Sequence, residues 1–339
     1  MRKLNQILFL ILLLFCVSGL FSLALAHTPL GPSDEIHSFE TAFDVPNPTK
    51  SWALYRELHD EGEAEFFKVH LNPGERLRLN LFIKENKEVF APQLIIVEKD
   101  LPDPDSLPSF IELPEGFGGR LVEPEIAETL EYEPFTPTSY FYLADVDETT
   151  QTEGDYYVIV YEPNLNEGKY GIAIGYKEEF TISEWLLIPF DVIGIHQWEG
   201  QSLILIIAPL LLTLVFGLTL LAWKSLIKLN VFTIFGIFAG LLYVGTGFML
   251  FLQMFMAIFG SSFNSLAVLT VIFGALPIIL GFVLLRKIIQ FKGELKTKDR
   301  IILAVLGFAG LFVWSGLLLG PVLVIVASVL PNKAFKKTK

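Results

Sequence analysis

His27 carries the most pointed chemistry in the chain. If a leader is cleaved after Ala26, the free amine and the imidazole of His27 could together chelate Cu(II), an ion that imidazole suits, with His37, His59 or His70 as further ligands. His27 and His37 are the candidate metal-ligating pair. Cleavage after Ala24 would instead leave Leu-Ala-His at the start, similar to amino-terminal Cu/Ni-chelating tripeptides. The plainer alternative is that His27 begins a flexible end and the other histidines face solvent, since no close His-x-His or His/Cys cluster supports a site. Oxygen ligands are a second source of chemistry. Asp100, Asp103 and Asp105, or Asp145, Asp147 and Glu148, could hold Ca²⁺, but neither set has the spacing of an EF-hand loop. Solvated loop charge accounts for them as well.

Other chemistry is missing from the pattern. There is no P-loop, HExxH, dinucleotide fingerprint or nucleophile motif, and nothing in the spacing pairs a serine with a histidine. The expectation is therefore a protein that is not an enzyme. Cys16 is the only cysteine, so no disulfide can form within residues 27–200.

The elements that would position these residues fall into two unlike halves. Residues 27–200 hold 35 Asp and Glu against 11 Lys and Arg, a net charge of −24, and the rest of the chain holds 2 against 14, a net of +12. A region this acidic is not expected to bind nucleic acid or anionic lipid. Residues 1–26 have the pattern of a secretory signal, with Arg2 and Lys3, an apolar run from Ile7 to Phe15, and the small-x-small site Ala24-Leu25-Ala26, rivalled by Ser22-Leu23-Ala24. Residues 27–182 alternate as strands do. Leu77, Leu79, Leu81 and Ile83 point one way in 75–84, and Phe67, Val69 and Leu71 share a face in 65–71. Tyr170, Ile172, Ile174 and Tyr176 do so in 169–176, while 156–161 (YYVIVY) is apolar on both faces. Strands are also predicted over 51–56, 93–98 and 139–146, with a weaker one over 37–43. Asn72-Pro73-Gly74, Glu153-Gly154 and Asn166-Glu167-Gly168 mark turns between them. Eight or so short strands predict an extracytoplasmic all-β sandwich or jelly roll. The stretch 100–137, rich in Pro, Glu and Gly, reads as a long excursion with one short strand over 110–113.

These residues carry a resemblance. Gly62 with Phe66, Gly74-Glu75-Arg76-Leu77, the late strand from Gly154 to Val160 and Gly168 to Ile172 together resemble the pre-peptidase C-terminal (PPC-like) type of secreted β-sandwich. The likeness covers roughly 130 residues at the level of strand and turn pattern, of the kind that recurs among sandwiches. It implies a non-catalytic accessory or binding module. The excursion over 100–137 departs from that family and leaves any shared binding surface open.

Thr181 and Glu184 have capping-box spacing, and the apolar run from Trp185 to Trp198 predicts a short interfacial segment over 183–200, broken near Pro189. Residues 201–331 predict an α-helical membrane bundle of four transmembrane helices, at about 201–223, 231–258, 266–285 and 301–330. Lys224 and Lys228, and later the basic connection from Arg286 to Arg300, place those loops inside and residue 200 outside. The basic tail 332–339, with four lysines, then lands outside against the positive-inside rule. No Asp, Glu, Lys, Arg or His lies deep in the spans, which argues against an ion-coupled pump, and Gln253 is the most polar deep residue. Gly236-x-x-x-Gly240 and Gly316-x-x-x-Gly320 permit close helix contact. The functional expectation is a multi-pass protein of the cell membrane whose acidic module binds a protein or glycan ligand. The alternatives are an envelope protein handling Cu or Ni through His27, and an accessory subunit of a transport or secretion complex.

Overall fold

A computed structural model describes residues 27–331 apart from 31–35, 60–61, 85–87, 100, 103–106, 123, 125–128, 225–229, 262–264 and 292. The expected signal over 1–26, the tail over 332–339 and the acidic set Asp100, Asp103 and Asp105 lie outside the described residues.

The amino-terminal region is two β-sheets. In chain order the strands are β1 (Thr28–Pro29), β2 (Phe43–Asp44), β3 (Trp52–Leu58), β4 (Ala64–Leu71), β5 (Arg76–Ile83), β6 (Gln93–Lys99), β7 (Phe117–Val122), β8 (Glu131–Glu133), β9 (Thr138–Thr149), β10 (Gly154–Tyr161) and β11 (Gly168–Ile174). One sheet has the order β1-β3-β11-β5-β9-β8 and the other β2-β4-β10-β6-β7. A single apolar core takes alternate residues from both: Leu79 and Leu81 from β5, Phe67 and Val69 from β4, Val158 and Val160 from β10, and Ile172 from β11. The period-two alternation in the sequence marks these positions, because successive side chains leave a strand on opposite faces. The double-sided strand β10 sends Ile159 and Tyr161 into a second cluster with Phe66, Ile95 and Ile111 on the far face of its sheet. Arg56, Glu65 and the Tyr170 hydroxyl form a buried polar cluster that joins the two sheets.

The excursion after β6 is not one loose loop. Residues 110–113 are not a strand; Ile111 is buried over the second sheet, and β7 extends that sheet at Ile95 and its neighbours. The chain then crosses to the other sheet, where β8 pairs with β9. The weak strand expected over 37–43 is reduced to the two residues of β2.

Six helices follow among the described residues: α1 (Ile182–Trp198), α2 (Leu203–Trp223), α3 (Val231–Gly260), α4 (Ala267–Ile289), α5 (Thr297–Phe312) and α6 (Leu319–Val329). Among the described residues, α2, α3 and α4 are long and apolar enough to cross a membrane. The capping box forms as the spacing predicts, Thr181 Oγ1 accepting from the Glu184 amide while Glu184 accepts from the Thr181 amide. The break expected at Pro189 is absent, and α1 runs through it. A proline in a helix leaves the carbonyl four residues earlier without its amide partner. Here that carbonyl belongs to Trp185, and it accepts instead from the Trp314 indole N–H at 2.8 Å.

The segment 301–330 is not a single tilted helix. It is a hairpin of α5 and α6, which pack together so that the Arg300 guanidinium near the start of α5 donates to the Ser328 carbonyl near the end of α6 at 2.8 Å. At 16 residues, α5 is about 24 Å long, short of the roughly 30 Å hydrocarbon core. The turn between the helices holds Trp314, Leu317 and Leu318 in the left-handed region, each at a cost on the order of 1 kcal/mol for a residue with a Cβ. Tyr243 of α3 wedges against both arms. Its hydroxyl donates to the Leu306 carbonyl, and a Cβ on Gly310 or Gly320 would collide with its ring or hydroxyl. Gly236 and Gly240 do what their spacing permits within this chain, seating Ile288 and Leu285 of α4 against α3. Gln253 shares a reciprocal amide pair with Gln201, both bonds at 2.9 Å.

Candidate binding chamber

The β-region sits on the helices through specific contacts. Lys50 Nζ reaches Glu184 Oε1 at 2.7 Å, and the Trp198 indole donates to the Arg56 carbonyl at 3.1 Å. The Tyr132 hydroxyl is 2.7 Å from Thr270 Oγ1, and Thr270 also donates to the Pro134 carbonyl. The strongest node is Glu199, whose side chain is fully buried. Lys84 Nζ lies 2.6 Å from Oε2, while Oε1 accepts from Thr138 Oγ1 at 2.5 Å and from the Tyr140 hydroxyl at 2.8 Å. His196 Nδ1 completes the set at 3.2 Å. Burial pushes the Glu199 carboxyl up, but the His196 hydrogen bond and the Lys84 charge outweigh it and hold it at about 2.

Between these contacts lies a cavity of about 830 Å³. Its roof is the outer face of the first sheet, including Tyr55, Phe82, Tyr140 and Tyr142, and its floor includes Ile188, Asp191 and Val192 of α1 and Leu266 and Leu269 at the start of α4. The stretch from Glu131 to Thr136 closes one side. A β-bulge shapes the roof. The pairing of β5 with β9 jumps from Leu81 opposite Ala144 to Phe82 opposite Tyr142, so Leu143 is the extra residue. Unbroken alternation would put Tyr140 and Tyr142 on the same face as Ala144 and Val146, in the core. The bulge turns them into the chamber instead.

The electrostatics of the chamber are uneven. Five carboxylates line it, Glu131, Glu133, Asp145, Glu178 and Asp191, against Arg76 and Arg78. Burial pushes the Glu133 carboxyl up to about 7; the Phe135 amide, donating at 3.0 Å, pulls it down, and the Glu178 charge adds to the rise. Burial also raises Asp191. The hydroxyls of Tyr55, Tyr140 and Tyr142 are all held protonated, first by burial and then by neighbouring charge. Both arginines are engaged, Arg76 with Asp147 and Arg78 with Asp145.

No family model and no curated protein matches this chain. The site is therefore described by its own residues. His27 lies on the chamber wall with Nδ1 on Ser51 Oγ, and burial, aided by the Arg78 charge, lowers it to about 4, so it is neutral at physiological pH. His37 belongs to the other sheet, where it contacts Glu63 and the Ala64 carbonyl. His70 pairs with Asp155 at 2.8 Å, and the His59 amide donates to Glu63. These histidines are not brought together, and among the described residues no three His, Cys, Asp or Glu side chains gather as a metal would need. Asp145 and Asp147 are paired with Arg78 and Arg76 on the neighbouring strand β5, and Glu148 with Arg120 on β7 of the other sheet.

The tyrosines, Glu133, Asp191, His196 and Glu199 are absent from the sequence-based list of candidates. The Tyr-x-Tyr of 140–142 was the one local signal, an aromatic pair at strand spacing. Its orientation depends on the bulge, which no local pattern announces.

Proposed function

We propose that the chain is a non-enzymatic, multi-pass protein of the cell membrane whose acidic β-sandwich, PPC-like in its strand and turn pattern, lies outside and takes a ligand in the chamber at its base. The chamber carries this reading. A cavity of about 830 Å³ walled by aromatic rings and a few convergent polar groups is the common form of a small-molecule site. The positive-inside pattern supports the orientation, and the hairpin of α5 and α6 is consistent with it, since it brings Ser328 back beside Arg300 of the basic connection. The contacts through Glu199 and Glu184 favour a receptor held rigidly on the bilayer over a freely displayed domain.

Asn80 lines the chamber, and Asn80→Cys tests the reading. The variant is expected to react on intact cells with a small membrane-impermeant maleimide. Labelling only after permeabilisation would overturn the orientation. Absence of labelling in both conditions, while an exposed Glu167→Cys reacts on intact cells, would overturn the chamber as an accessible site.

A further inference from the structure

The chamber has a neighbour among the helices. Beneath it lies a second, apolar cleft of about 100 Å³, and Pro134, Phe135, Ile188 and Val192 line both. The cleft runs down between α1, α2, α3, α4 and the tip of the hairpin, past Ile206, Met249 and Phe273. Met249 is 11 residues before the end of α3, about 16 Å along its axis, so the cleft reaches into the depth of the bundle. Its volume is about three times the ~30 Å³ share of one water, room for the start of an alkyl chain whose remainder would lie in the bilayer.

A buried polar atom without a partner belongs to a residue that lines the cleft. His196 is 1% exposed and lines the cleft; its Nδ1 is used by Glu199, and its Nε2 has no hydrogen-bond partner among the described residues. An imidazole nitrogen buried this way costs free energy until something meets it. A purely apolar packing role does not account for it.

We propose that the chamber and cleft together hold one membrane amphiphile with an ammonium headgroup, its headgroup among the carboxylates and tyrosines and its chain in the apolar cleft. This rests on the reading of the chamber as a ligand site and adds the identity of the ligand class. Charge complementarity selects the headgroup. Beyond the Arg78–Asp145 pair, four carboxylates line the space, Glu131, Glu133, Glu178 and Asp191, Arg76 is engaged by Asp147, and tyrosine faces attract ammonium groups. An anionic headgroup would meet net negative potential. The apolar cleft directly against the chamber, with four lining residues in common, selects an amphiphile over a free amine. With Nδ1 engaged by Glu199, His196 has Nε2 left to meet a polar group of a ligand in the cleft.

Native mass spectrometry of the full chain in detergent, titrated with phosphatidylethanolamine and phosphatidylglycerol, tests this. The wild-type chain is expected to retain one phosphatidylethanolamine under activation that strips phosphatidylglycerol. The double variant Glu133→Gln, Asp191→Asn should lose about ten-fold in that preference, the scale of charge-assisted contacts. Val192→Trp, which fills the neck without touching the carboxylates, should lose the bound lipid, and Ile188→Phe serves as a second plug if the first does not fold. Equal retention of phosphatidylglycerol, or phosphatidylethanolamine binding unchanged in both plugged variants, would overturn the proposal. Phosphoethanolamine without chains binding the wild type as tightly as the lipid would also overturn it, while leaving the chamber as a ligand site intact.

Discussion

Glu133 shows how one residue can report on the chamber. Its carboxyl is pushed up from 4.5 to about 7, chiefly by burial. The folded state therefore keeps a proton that the unfolded chain has released. Stability from this group is full below pH 4.5, falls as the pH rises through 7, and is level above that. Glu133→Gln removes the titration. Thermal melts of the full chain between pH 5 and 8 should show the wild type losing up to about 3 kcal/mol relative to the variant as pH rises, the two curves converging at the acid end. Parallel curves would mean the carboxyl is solvated and the chamber more open than its geometry implies. Glu199 behaves oppositely. Its carboxyl is held at about 2, so its contribution is present above pH 4.5 and is lost only as pH falls through 2.

At the scale of elements, the hairpin of α5 and α6 brings the end of α6 back beside the start of α5. Its two arms meet at Arg300 and Ser328, and its tip is tied to α1 by Trp314 and to α3 by the Gly316 amide, which donates to Thr246 Oγ1 at 2.6 Å. A cysteine at Lys336 should therefore share its accessibility with one at Glu294, both silent to an impermeant thiol reagent on intact cells that label Glu167→Cys. A Lys336→Cys that labels with Glu167→Cys would restore a full fourth crossing. The glycines that admit Tyr243 make the hairpin sensitive to small changes. Gly310→Val would drive a side chain into the Tyr243 hydroxyl, and a loss of about 1–3 kcal/mol is the usual size of such overpacking.

For the whole molecule, the β-region and helices act as one body only if their seam is energetically coupled. Lys50 and Glu184 span it, with the lysine 8% and the glutamate 25% exposed. Either Lys50→Glu or Glu184→Lys alone should lower the melting temperature of the full chain, and the double swap should recover the part that belongs to the ion pair, a coupling of about 1–2 kcal/mol, while the capping box closed by Glu184 stays lost. Additive losses would show that the seam is loose. The roof tyrosines give the seam a second consequence. Separated from its base, the first sheet would present Tyr55, Phe82, Tyr140 and Tyr142 as one exposed aromatic face, a surface that promotes association.

The sequence by itself determined the two halves, most of the strands, the core face of β5, β4 and β11, the capping box before α1 and the three long apolar helices. Each rests on a periodicity or a local cap, which neighbouring residues suffice to specify. Tertiary structure decided the rest. Pro189 should break a helix, and does not, because Trp314 from a distant turn satisfies the carbonyl the proline orphans. The run 301–330 is long enough to span, and folds back, because Gly310 and Gly320 let Tyr243 of α3 wedge against both arms. Tyr140 and Tyr142 share a period with the core, and leave it, because one extra residue in β9 shifts the register. The chamber exists only where those long-range events meet: its roof depends on the bulge, its floor on an unbroken α1, and its rim on the buried Glu199. None of these can be read from a window of ten residues, because in each the deciding partner lies tens of residues away in the chain.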